Sequence, residues 1–146
     1  MPCSYRFLES RESLDTFIDQ WERGVLPKSE WTHAAHITVG TCYVLRYGAT
    51  ALDRIREGIL RYNAAVGTAN TDSSGYHETL TRFWYSILVV TIDGITDPLK
   101  AARLNVTKYG ASSGLHKRFY STDIVRDVIA KRVGGAGSSE LARRQV

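Results

Sequence analysis

Cysteine is scarce: the 146-residue chain holds only Cys3 and Cys42. Two thiols cannot build the disulfide framework of a small secreted scaffold, and a cysteine-rich zinc site is excluded by count. Cys42 falls on an apolar helical spacing and reads as a core thiol, whereas Cys3 is expected in a mobile terminus. Long apolar runs are missing too. The longest, Ile87-Leu88-Val89-Val90, stops at Thr91 and Asp93, far short of the ~20 residues that cross a bilayer. The opening Met1-Pro2-Cys3-Ser4-Tyr5-Arg6 meets charge too early for a secretory signal. These absences predict a cytoplasmic protein with no membrane partner, in which the glycosylation match Asn105-Val106-Thr107 carries no meaning.

Several catalytic signatures are also lacking. Ser73 and Ser74 have no Gly-x-Ser-x-Gly context, and the glycines form no phosphate-cradling loop. There is no His-Glu-x-x-His protease motif. Glu30-x-x-His33 occurs without the second Glu-x-x-His that a ferritin-like di-iron centre needs. Alternating strand patterns, internal repeats and long heptad arrays are likewise missing, which leaves an all-α fold.

With 43% hydrophobic and 23% charged residues, the chain is an ordinary globular one, long enough for one domain and too short for two. The expected division is a helical domain over 1–133 and a flexible glycine-rich tail over 134–146, opening Gly134-Gly135-Ala136-Gly137. The net charge of +4 is unevenly spread: residues 1–96 carry 9 basic and 11 acidic groups, residues 97–146 carry 10 and 4. A basic C-terminal third can meet phosphate or an acidic partner. The aromatic interleaving of a nucleic-acid module is absent, so a solvated surface is the simpler reading, also for His116-Lys117-Arg118.

Apolar spacing predicts five to six helices in one compact bundle. Leu14, Phe17, Ile18 and Trp21 mark the first, with Ser13 as its N-cap; the second runs from about Glu30 to Tyr47. Leu52, Ile55, Ile59 and Tyr62 stripe a third, and a turn-rich stretch over 67–75 follows. The fourth spans about Tyr76 to Ile92, with Tyr76, Leu80, Phe83, Trp84, Ile87 and Val90 as its apolar face. Asp97-Pro98 opens a fifth that ends near Tyr109-Gly110. Ser121-Thr122-Asp123 caps a last amphipathic one carrying Ile124, Val125, Val128 and Ile129. Trp31 and Trp84 are expected as core anchors.

The second helix carries almost no charge between Glu30 and Arg46, so it should be central and covered on both sides. On a wheel of about 100° per residue, His33, His36, Gly40, Tyr43 and Tyr47 share one side of it. His77 stands at the head of the fourth helix, in line with Thr81, Trp84 and Leu88. This predicts an enclosed polar site between helices 2 and 4. Two histidines three apart on a helix converge on one atom, and a third from a neighbouring helix completes a facial ligand set. His33, His36 and His77 are therefore candidate ligands of a divalent zinc or iron(II) ion, with Glu78, or Glu30 in its place, as fourth ligand or general base. Tyr43 and Tyr76 are further candidate catalytic groups. Asn63, Asn70, Asp72 and Tyr76 could rim the pocket.

The run Glu30-Trp31-Thr32-His33-Ala34-Ala35-His36, with Arg61-Tyr62-Asn63 and Gly75-Tyr76-His77-Glu78-Thr79, resembles a family of short, uncharacterised bacterial proteins. The likeness covers residues from about 20 to 125. It implies that the three histidine segments act as one unit and brings no activity or cofactor with it. The leading expectation is a small metal-dependent enzyme acting on a small organic molecule. A metal-free acid–base enzyme or small-ligand binder using the same histidines is the first alternative. An interaction or nucleic-acid module using the basic C-terminal third is the second. The sequence leaves a homo-oligomer open.

Overall fold

The structure, a computed structural model, describes residues 5–70 and 75–118. The helices are α1 (Arg11–Glu22), α2 (His33–Tyr47), α3 (Ala51–Ala65), α4 (Glu78–Thr91) and α5 (Pro98–Tyr109), with short 3-10 turns in the α1–α2 and α2–α3 connections. No strand occurs among the described residues, so the fold is all-α. None of their helices is long and apolar enough to cross a membrane. The helix expected over 121–129, the tail over 134–146, Cys3 and Asp72 lie outside the described residues.

Helix α1 begins a turn earlier than its apolar stripe suggests. Ser10 is the cap, its hydroxyl accepting the Ser13 amide at 3.0 Å, and an exposed Arg11–Asp15 pair at 3.0 Å continues the first turn. Leu14, Phe17, Ile18 and Trp21 are buried as their spacing requires. Helix α2 begins later than expected. A separate 3-10 turn holds Lys28–Glu30, and Thr32 caps α2 by accepting the Ala35 amide at 3.3 Å. Glu30 is thus off the helix, and its one-turn relation to His33 is lost.

Helix α2 is the centre of the bundle. Ala34, Ala35 and every residue from Ile37 to Tyr43 are buried, and the helix packs against α3, α4 and α5. In this interior Thr41 donates to the Ile37 carbonyl at 2.8 Å, and the Asn105 amide nitrogen of α5 donates to the Thr41 hydroxyl at 2.9 Å. Asn105 is fully buried, closed to any glycosylating enzyme. Cys42 is a buried free thiol whose pKa desolvation pushes up to about 12, an inert core residue.

Helix α3 lies close to α1 because Gly58 has no side chain. A Cβ there would stand 2.3 Å from the indole of Trp21. The Tyr62 hydroxyl donates to the Leu26 carbonyl at 2.7 Å, fastening α3 to the α1–α2 connection. In α5, Asp97 accepts the Lys100 amide at 2.8 Å and Pro98 follows at the first helical position, as its sequence predicts.

Candidate functional site

A pocket of about 330 Å³ opens between α2, α3 and α4, and His33, His36 and His77 all line it. Helix α2 supplies the first two imidazoles and, at Gly40, a bare stretch of backbone. A Cβ there would come within 2.8 Å of the Leu88 Cδ1 methyl of α4, so any larger residue would have to move that side chain. Helix α3 adds Ile55 and Ile59, and α4 adds Thr81, Trp84 and Leu88. The α3 wall was not foreseen. His36 lines the pocket and is itself exposed to solvent.

Each imidazole is held by the backbone through one nitrogen. His36 Nδ1 lies 2.7 Å from the Thr32 carbonyl, and since a carbonyl only accepts, that nitrogen carries the proton. Nε2 of His36 therefore keeps its lone pair. Likewise His33 Nε2 donates to the Tyr109 carbonyl at 3.1 Å, which leaves Nδ1 as the unprotonated nitrogen of the neutral ring. His77 has the opposite polarity. It is the N-cap of α4, its Nδ1 accepting the Leu80 amide at 3.2 Å, so the neutral ring bears its proton on Nε2. An imidazole in the place of a capping Ser or Asp explains why the helix starts at Glu78 and not at Tyr76.

The three rings share a pocket but not a point. His36 lies against Trp31, ring centres 3.8 Å apart, while His33 meets the edge of Trp84 at 4.8 Å. The first ring leans toward the aromatic cluster of α1 and α3, where Trp31 also packs on Trp21 and Tyr62. The second leans toward α4 and α5. Among the described residues, no three His, Cys, Asp or Glu side chains stand together as a metal-holding group. Desolvation lowers the pKa of His33, with the Tyr109 carbonyl acting in the opposite sense. Desolvation by the pocket walls also lowers His36, partly offset by its bond to the Thr32 carbonyl.

Glu78 is committed elsewhere. Arg56 of α3 grips its carboxylate with two parallel bonds at 2.7 and 2.8 Å, Tyr76 donates to it at 2.6 Å, and Arg82 closes on it from the next turn of α4. Burial alone would raise this carboxyl, yet the bonds from Arg56, Tyr76 and Arg82 outweigh it and bring the pKa down to about 2. So weak a base is a poor proton acceptor, and its oxygens are already occupied. Tyr76 lines the pocket, but its hydroxyl is spent on Glu78, and burial followed by that bond pushes its pKa to about 12. Arg56 and Arg82, neither singled out in the sequence, are the groups that turn a candidate ligand into a fastening between α3 and α4.

Tyr43 stands apart from the three histidines. It is buried against Trp21, and its hydroxyl donates to Glu22 of α1. Though on the same side of the wheel as His36, it lies seven residues along the helix, roughly 10 Å away at 1.5 Å per residue. Exposed Glu30 lines a separate cleft beside Arg6 and Glu9. The expected polar rim is partly assembled: the Asn70 side-chain oxygen accepts from Asn63 and from the Tyr76 amide, both at 3.0 Å. Gly75 permits this closure, with φ of +84° and room only for a hydrogen, since a Cβ would lie 2.6 Å from the Ala69 carbonyl.

Comparison with known proteins gave no match: no family model, curated protein or solved structure is detectably similar to this chain.

Proposed function

We propose that this protein binds a small organic molecule in the pocket between α2, α3 and α4 and acts on it by metal-free acid–base chemistry. The observation that carries this reading is the fixed orientation of His36. Its Nδ1–H is tied to Thr32 at 2.7 Å, which leaves Nε2 with a lone pair in an imidazole that lines the pocket. A lowered pKa keeps that ring neutral at physiological pH, the state a general base requires. His77 lines the same pocket as the cap of α4, its Nδ1 accepting the Leu80 amide. Glu78 serves as a positioning residue: it holds Tyr76, beside His77, against α3.

The test is a fragment screen by NMR on isotopically labelled protein. Binders should shift the His36 and Trp84 side-chain signals together, and His36→Gln should weaken binding while leaving the helical circular dichroism unchanged. Binders that leave both signals still, or that bind His36→Gln equally well, would contradict the assignment.

A second reading rests on one specific observation. His33 and His36 each donate one ring N–H to a backbone carbonyl, the contact that commonly orients metal-bound imidazoles. A zinc or iron(II) ion could draw the remaining nitrogens together, with His77 as third ligand and without Glu78. Anaerobic purification and elemental analysis separate the two readings: stoichiometric metal lost on His33→Ala supports the metal enzyme, whereas metal-free protein that binds fragments supports the first.

A further inference from the structure

The walls of the pocket carry a second message, which rests on the assignment above and narrows the ligand. Among the described residues, no Asp, Glu, Lys or Arg side chain lines the pocket. Of the charges next in sequence to the lining, Arg56 and Arg82 are both paired with Glu78, Arg54 lies over the Tyr47 ring and Glu30 lines a separate cleft. A carboxylate, phosphate or ammonium group entering here would shed water without meeting a counter-ion on the described walls, a costly exchange.

The walls are also flat in part and aliphatic in part. Trp31, Trp84, Tyr76 and Tyr85 contribute ring surfaces, and Ile37, Ile55, Ile59 and Leu88 fill between them. Flat rings favour a flat guest. The aliphatic patches argue against an aromatic cage for a quaternary cation, which needs ring faces on several sides. A volume of about 330 Å³ stands at the lower end of the ~300–1,000 Å³ range of small-molecule sites, enough for one or two rings. Finally, the lone pair of His36 Nε2 offers the guest an acceptor, because the ring's one proton is on Nδ1 and used on Thr32.

We infer that the ligand is an uncharged, flat aromatic molecule of one or two rings bearing a hydroxyl or N–H group, the donor directed at His36. A phenol, a naphthol or an indole has this chemistry.

Calorimetric titration with four probes on one skeleton tests it: 2-naphthol, naphthalene, 6-hydroxy-2-naphthoate and naphthylmethylammonium. The expected order places 2-naphthol at least about tenfold tighter than the anion and the cation, with naphthalene weaker than 2-naphthol by a similar factor. Two variants locate the binding. Ile59→Trp fills the pocket from a half-buried position on α3 and should abolish it. His36→Phe keeps a ring but removes the acceptor, and should erase the advantage of 2-naphthol over naphthalene. If a charged probe binds best and Ile59→Trp displaces it, the pocket assignment stands and the ligand class is overturned. If no probe binds, or if binding ignores Ile59→Trp, the ligand class is overturned, and the fragment screen then decides the pocket assignment independently.

Discussion

At the scale of single residues, hydrogen-bond commitment decides what each candidate can do. Glu78 looks like a ligand or base beside His77, yet two guanidinium groups and a phenol occupy its oxygens. Its contribution is to stability, and the sign follows from its pKa. A carboxyl depressed to about 2 from an ordinary 4.5 stabilises the fold fully above pH 4.5. That stabilisation is lost as pH falls toward 2. Urea unfolding across this range should show stability declining with acid, and Glu78→Gln should flatten the decline. At neutral pH the same substitution should cost about 3 kcal/mol, because Arg56 is left gripping a neutral amide. His33 and His36 should titrate below 6.5 in NMR pH series, since desolvation opposes their charged forms.

At the scale of elements, what was legible was whatever depends on local chemistry. Asp97-Pro98 predicts the start of α5 because a carboxylate cap and a preset φ act on their own neighbours. The uncharged run from Trp31 to Leu45 predicts a central α2 because burial acts on composition. The start of α2 was misplaced because a 3-10 turn at Lys28–Glu30 is nearly indistinguishable from a first helical turn by spacing. One position on the expected apolar face of α4 was misjudged. Val90, on its most apolar stripe, is 76% exposed, whereas the line His77, Thr81, Trp84 and Leu88 faces the pocket. Hydrophobicity marks what avoids water, and a pocket wall needs polar groups among its apolar ones. Close helix approach is a further element-level property. Gly58→Ala gains about 1 kcal/mol of helix propensity. It should nonetheless destabilise the protein by about 1–3 kcal/mol through overpacking against Trp21. Thermal melts should show part of that loss recovered when Trp21→Phe is added.

At the scale of the whole molecule, the bundle brings to one cleft three histidines separated by 44 positions of sequence. Their grouping could be read from the chain because His33 and His36 lie one turn apart and His77 heads another apolar helix. The third wall could not. Ile55 and Ile59 are ordinary residues on the buried stripe of an amphipathic helix, and only the crossing of α3 over α2 turns them toward the pocket. Arg56 was hidden for the same reason, since its partner stands 22 residues away on another helix. The divergence of the His33 and His36 rings is likewise tertiary, imposed by the Tyr109 carbonyl and by Trp31.

The most direct measurement is a long-range proton–nitrogen spectrum of the imidazoles at neutral pH, recorded while 2-naphthol is added. The arrangement predicts protons on Nε2 of His33, Nδ1 of His36 and Nε2 of His77. It also predicts that all three rings shift along one saturating curve. A proton on Nε2 of His36, or a ligand that moves one ring and leaves the others still, would contradict a shared histidine-lined site.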